Sequence, residues 1–210
     1  MIAIVDYGMG NLRSAQKGIE KAGHDACITN RARTIAEADA VVLPGVGAFK
    51  DCFEGLHSRG LLGPIQKAAA SGRPFLGICV GLQLLFEYSE EGQGSEGLGI
   101  FPGRVVRFPD ARETRLKVPH MGWNQLKAVP GRPCPLLEGL PESPYAYFVH
   151  SYYAQPADEN LVLATCDYGI AFPAIVGRDN VYAVQFHPEK SQAAGIAILR
   201  AFGNLLATRV

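Results

Sequence analysis

Near-continuous apolar runs mark the first part of the chain at Ile2-Ala3-Ile4-Val5, Ala40-Val41-Val42-Leu43 and Phe75-Leu76-Gly77-Ile78. Each is followed by glycine or proline and then by helix-like spacing. Strands covered by helices on both faces read this way, because neither face alternates with water. After the first run, Leu12, Ala15, Ile19 and Ala22 fall on one helical face, with Asn11 placed to cap the start and Gly23 to stop it. Leu82, Leu85 and Phe86 have the same spacing after the third run and predict a helix there. This alternation predicts a doubly wound, mostly parallel central sheet flanked by helices, an α/β fold.

From about Gly92 the texture changes. Turns rich in glycine and proline separate extended segments around Arg104-Phe108, Trp123-Ala128, Ala146-Tyr153, Leu161-Cys166 and Val181-Phe186. These segments predict an antiparallel extension of the same sheet. Ile198, Phe202, Leu205 and Leu206 then form one apolar stripe of a closing helix, with Ser191 as its cap. No internal repeat, low-complexity tract or linker interrupts residues 1–210, so a single domain is expected.

Composition narrows the chemistry. The chain has 210 residues, 48% of them hydrophobic, which suffices for a substantial core. Twenty Lys and Arg balance twenty Asp and Glu, leaving no basic surplus for nucleic acid or anionic lipid. A small neutral or zwitterionic substrate fits better. The apolar runs fall far short of the ~18 residues of a membrane span, and no signal-peptide pattern precedes the first strand, so a cytoplasmic location is expected. The five cysteines, Cys27, Cys52, Cys79, Cys134 and Cys166, include no CxxC pair, which argues against a disulfide framework or a zinc site. No metal and no cofactor are expected.

The chemistry centres on Gly77-Ile78-Cys79-Val80-Gly81, placed where a buried strand meets a helix. This has the form of a nucleophile elbow with cysteine in the serine position. So sharp a turn strains the nucleophile and leaves no room for side chains at the flanking positions, hence the glycines. The following helix would aim its positive end at the sulfur and favour thiolate. A cysteine alone is equally well read as a small buried hydrophobe. The two glycines and the junction shift the balance toward reactivity.

Among five histidines, the best proton acceptor is in Gln185-Phe186-His187-Pro188-Glu189-Lys190. In an extended chain residues two apart face the same side, which puts Glu189 beside the His187 ring, and Pro188 disfavours helical geometry at His187. In isolation this segment reads equally well as a surface turn with a solvated glutamate. A developing oxyanion needs backbone donors: Val80 offers one, and Pro44-Gly45-Val46-Gly47 ends another predicted strand and can bring a second. Ligands of open α/β sheets bind at such strand ends.

Together, Gly77-Ile78-Cys79-Val80-Gly81-Leu82-Gln83 and Gln185-Phe186-His187-Pro188-Glu189 resemble the class I (triad) glutamine amidotransferases. Segments Asp6 to Leu12, Pro44 to Phe49, Pro119 to Asn124, Tyr147 to Tyr152 and the Lys190-Ser191 ending resemble one branch of that family, the glutaminase subunits of imidazole glycerol phosphate synthase. Val80 and Leu82 stand where this branch more often has Leu and Met, both conservative changes.

The resemblance implies that Cys79 attacks the side-chain amide of glutamine, that His187 protonates the departing ammonia and later activates water, and that Glu189 holds the ring. It further implies oxyanion donors at Val46 and Val80 and substrate contacts at Gly47, Gln83 and Glu91. Glu91 also reads as a solvated acid at a helix end. The implied partner is a (β/α)8-barrel cyclase subunit, with Asn11, Trp123 and Lys190 near the interface. Plainer readings keep Asn11 as a cap, Trp123 in the core and Lys190 in solvent. His120 and His150 carry no assigned role, and His24 and His57 are read as surface residues. Two alternatives remain open: a glutaminase of another synthase, of the anthranilate or aminodeoxychorismate type, and a non-catalytic docking subunit.

Overall fold

The computed structural model describes residues 1–109 and 116–206. The chain begins with β1 (Ile2–Val5), α1 (Leu12–Lys21), β2 (Ala26–Thr29), α2 (Ala32–Glu37), β3 (Ala40–Gly45), α3 (Phe49–Ser58), α4 (Leu62–Ala70), β4 (Phe75–Cys79) and α5 (Val80–Gln83). Every residue of β1, β3 and β4 is buried, as expected of runs without alternation. Helix α1 occupies the predicted span, with Ala15, Gly18 and Ile19 inward. Asn11 sits at its N-cap position, yet its side chain makes no capping hydrogen bond.

The rest comprises β5 (Phe86–Ser89), β6 (Ser95–Glu96), β7 (Phe101–Arg107), β8 (His120–Gln125), β9 (Lys127–Ala128), β10 (Tyr145–His150), β11 (Tyr152–Pro156), β12 (Val162–Asp167), β13 (Ala171–Arg178), β14 (Val181–Val184) and α6 (Gln192–Asn204). The main sheet has the order β2-β1-β3-β4-β14-β13-β12-β9. Its pairings from β2 through β14 are all parallel, and those from β14 to β9 are antiparallel.

The antiparallel extension therefore exists, but with corrections. The segment Val181-Phe186 contains β14, which runs parallel to β4, pairing Ala183 with Gly77 and Val184 with Ile78. Segments Arg104-Phe108 and Ala146-Tyr153, with the start of Trp123-Ala128, leave the main sheet altogether. β10 and β8 pair with each other, while β11, β7, β5 and β6 form a further small sheet. Local pattern specifies extended chain; which strands pair is decided by packing between residues far apart in sequence, such as Tyr152 against Arg107.

The helix expected over Leu82, Leu85 and Phe86 is a single turn. The N–H groups of Leu84 and Leu85 still bond back to Val80 and Leu82, but Phe86 opens β5, paired with Phe101. Leu82, Leu84, Leu85 and Phe86 are all at 0% exposure, which shows why helical periodicity is misleading here: the segment is buried on every side. In α6, Ile198, Leu199 and Phe202 are inward, and Leu205 and Leu206 pack partly buried just past its end.

Helices α1 and α6 cover one face of the parallel strands together. Gly18 on α1 permits the approach, since a side chain there would meet Leu199 at 2.8 Å and lie 3.5 Å from the Cβ of Glu189. No helix among the described residues is long and apolar enough to cross a membrane.

Candidate active site

The C-terminal ends of β3, β4 and β14 lie side by side in the sheet and carry the sequence-predicted site. Cys79 ends β4 with φ 56 and ψ −111, a left-handed conformation that favours glycine and that side chains rarely adopt. The elbow's glycines are required by space. A Cβ at Gly81 would lie 1.9 Å from the Leu43 carbonyl oxygen, and one at Gly77 would lie 2.7 Å from the Gly81 oxygen. Strand β3, the elbow and β14 are thus packed backbone against backbone.

Helix α5 spans four residues, too short for the macrodipole expected from sequence. The loop after β3 is tied from behind. Tyr7 donates its hydroxyl to the Pro44 oxygen at 2.7 Å, and the Cys52 thiol points at the Val46 oxygen at 3.4 Å. Burial pushes the Cys52 pKa up to about 11, so it stays a neutral donor.

His187 and Glu189 are both buried, with side chains 2% and 3% exposed, and His187 Nδ1 lies 2.8 Å from Glu189 Oε1. The contact follows a different path from the extended one expected. His187 is extended, at φ −101 and ψ 97, but Pro188 then opens a 3-10 turn through Lys190. Ser191, expected to cap α6, instead donates to the His187 oxygen at 2.7 Å and accepts the Tyr147 N–H at 2.9 Å, fixing this turn to β10.

His187 Nε2 and Glu189 Oε2 are buried without hydrogen-bond partners. Burial alone would lower the His187 pKa; the Cys79 sulfur and the Glu189 carboxylate outweigh it and raise it to about 10. The ring therefore holds a proton at neutral pH. Replacing Glu189 by glutamine should lower the His187 titration by about 1–3 pH units, measurable by NMR of the imidazole.

Cys79 and His187 line one cavity of about 620 Å³ with Asn11, Val46, Gly47, Val80, Gln83, Glu91 and Lys190. Nine of the eleven sequence-nominated positions thus share it; Glu189 stands behind His187, and Trp123 is elsewhere. Gln83 is 3% exposed, and its Nε2 donates to the Tyr152 oxygen at 3.0 Å and to Gln185 Oε1 at 3.2 Å. Glu91 is not the solvated acid of the plainer reading: its Oε2 accepts the Phe49 N–H at 2.7 Å, at the start of α3. Trp123 is 46% exposed on β8, which overturns a core position, and stands edge-on to Tyr147, over whose ring Lys190 Nζ sits at 6.0 Å.

Sequence reasoning passed over Gln185, though it lies within the quoted motif. It is fully buried, with Nε2 3.9 Å from the Cys79 sulfur. A buried glutamine in an otherwise apolar strand end was the available signal. His57 is exposed as read, while His24 is half-buried, with its ring against Gly203.

The histidines set an acid–base signature. The raised His187 pKa means the folded chain keeps a proton that the unfolded chain loses above about pH 6.5, so that stabilisation is full below pH 6.5 and fades toward pH 10. Burial depresses His120 to about 4 and His150 to about 3. Below pH 6.5 the unfolded chain takes up protons that the folded rings refuse, so their contribution fades as pH falls. Urea midpoints measured from acid to alkali should peak between about pH 6 and 7.

The family model for class-I glutamine amidotransferases matches residues 3–204. Curated relatives include the imidazole glycerol phosphate synthase subunit HisH of Syntrophotalea carbinolica, 56% identical over 98% of this chain and 100% of that protein. The same subunit of Geobacter sulfurreducens is 52% identical over 97% of this chain and 98% of its own. That of Synechococcus elongatus is 54% identical over 96% and 91%. Among solved structures, a glutamine amidotransferase superposes with a TM-score of 0.74 at 20% identity, covering 99% of this chain and 100% of that one. PurLQS from Thermotoga maritima gives 0.75 at 19%, covering 98% of each chain. At such identities these two structures speak for the shared fold.

Proposed function

This chain belongs to the class-I glutamine amidotransferase family, and from that premise we propose that it is the glutaminase subunit of an imidazole glycerol phosphate synthase, working as one domain over residues 1–210. The carrying observation is the strained Cys79 opening into the same cavity as His187, whose ring is held by Glu189.

Glutamine enters with its side-chain amide at Cys79. The sulfur forms a bond to the amide carbon, and the carbonyl oxygen takes the negative charge, which the N–H groups of Val46 and Val80 stabilise. His187, protonated beside the sulfur, gives its proton to the leaving nitrogen, so the C–N bond breaks and ammonia departs. Water then loses a proton to His187 and attacks the thioester, releasing glutamate and freeing the Cys79 sulfur beside a protonated His187. Glu189 keeps the imidazolium oriented throughout. Gly47, Gln83 and Glu91 border the substrate; with Oε2 occupied by Phe49, Glu91 has Oε1 left for the substrate ammonium.

Free ammonia at neutral pH is mostly protonated and no longer nucleophilic, so a docked acceptor subunit must collect it. That subunit is a (β/α)8-barrel cyclase, which would form a heterodimer with this chain in the cytoplasm. Trp123, Lys190 and Asn11 border the docking face, where Met121, Trp123 and Tyr145 stand 63%, 46% and 54% exposed on the β8–β10 ribbon. Exposed large apolar groups gathered on one ribbon suit a partner, and tryptophan is a common anchor.

The test mixes the purified chain with the cyclase, glutamine and the cyclase's nucleotide substrate. Glutamine hydrolysis should rise on adding the cyclase and yield imidazole glycerol phosphate. Stimulation by an anthranilate synthase, with none by the cyclase, would sink the assignment.

A further inference from the structure

Behind Gln83 runs a chain of hydrogen bonds whose direction follows atom by atom. A backbone carbonyl only accepts, so the Tyr152 oxygen, 2.9 Å from His150 Nδ1, requires the proton on that nitrogen. In the neutral ring His150 Nε2 is then an acceptor, and the atom facing it at 3.0 Å, His120 Nδ1, must donate. This leaves His120 Nε2 as an acceptor for Asn124 Nδ2, 3.3 Å away. Asn124 is itself oriented, donating to the Asp167 oxygen at 2.8 Å and accepting the Gln125 N–H at 2.8 Å.

Both rings are buried, at 3% and 6% exposure. His120 is stacked between Tyr168 and Phe148 at centroid distances of 4.0 and 4.9 Å, and Phe172 lies 5.0 Å from His150. Among the described residues neither ring has a carboxylate bonded to it, and burial depresses both pKa values, so both stay neutral at working pH. The Tyr152 oxygen serves two donors, His150 Nδ1 and Gln83 Nε2, and the second hydrogen of Gln83 goes to Gln185. Both amide hydrogens of Gln83 are thus directed into protein, which leaves its oxygen for whatever enters the cavity.

We propose that His120 and His150 are positioning residues for Gln83: fixed as Nδ1–H tautomers, they hold the Tyr152 carbonyl and, through it, the orientation in which the Gln83 side chain presents its oxygen to glutamine. The inference rests on the glutaminase reading of the cavity. Neither histidine touches the reacting atoms. Their role is to stop the Gln83 amide from rotating and exchanging acceptor for donor.

Two measurements on the full chain decide it. Two-bond proton–nitrogen spectra of the 15N-labelled protein, without substrate, should show both buried imidazoles as Nδ1–H tautomers. In the complex with the cyclase, His120→Leu should raise the KM for glutamine roughly five- to tenfold with kcat within about twofold, the loss expected of one neutral hydrogen bond. His120→Asn places an amide N–H near the lost Nδ1–H and should restore the wild-type KM. An Nε2–H tautomer at either ring, an unchanged KM in His120→Leu, or equal impairment in the Leu and Asn variants would overturn the proposal. Wild-type glutamine hydrolysis and its dependence on Cys79 test the underlying reading separately, and the tautomers are read with no substrate present.

Discussion

Glutamine hydrolysis by the Cys79→Ala chain should fall by about 10^4-fold or more, because the covalent route disappears and only binding and oxyanion contacts remain. The fold should persist. Alanine keeps a Cβ at the same strained φ of 56, so the cost of that conformation is unchanged and only the sulfur is lost. Glutamine-dependent synthesis by the cyclase complex should stop, while synthesis from added ammonia continues, since the partner's chemistry is separate. A Cys79→Gly companion sharpens the test. Glycine adopts positive φ at little cost, so this variant should be at least as stable as Cys79→Ala in urea while equally inactive. Undiminished glutamine turnover in either variant would end the thioester mechanism.

The largest structural effect is expected at Gly81. Alanine there places its Cβ 1.9 Å from the Leu43 oxygen, an atom of the neighbouring strand's backbone that no rotamer can move aside. Relief requires prising β3 from the elbow, and Gly81→Ala should lose more than about 4 kcal/mol or fail to accumulate as folded protein. Gly63→Ala provides the contrast. That glycine lies within α4 facing open space, so alanine there should be neutral or stabilise by about 0.5–1 kcal/mol. Urea midpoints for the two variants check the pair, and a Gly81→Ala midpoint equal to wild type would refute the steric account of the elbow.

Legibility in the sequence followed the range of the interactions. β1, β3 and β4 were readable because burial on both faces leaves unbroken apolar runs, and the elbow because glycine has only a few reasons to bracket a cysteine. β2 was missed: it is four residues long at the sheet edge, with Ala26, Cys27 and Ile28 only partly buried. The division into a main sheet and two smaller ones was unreadable, since pairings such as His150 with His120 or Tyr152 with Arg107 are decided by tertiary packing. The His187–Glu189 contact was anticipated for a reason only half right; Pro188 does hold His187 extended, but the approach is completed by a turn. The exposure of Trp123 follows from the pairing of β8 with β10 outside the main sheet, which no local pattern encodes.

The position of β14 between β4 and β13 makes assembly of the site wait for pairing between residues about a hundred positions apart. The first half of the polypeptide already contains the sulfur and its elbow, but the strand that delivers the imidazole follows every other described strand and must slot in beside β4. Until it does, the half-built protein has no base to pair with its thiol. Onset of glutaminase activity during refolding would therefore time the insertion of that strand, making turnover a clock for completed folding.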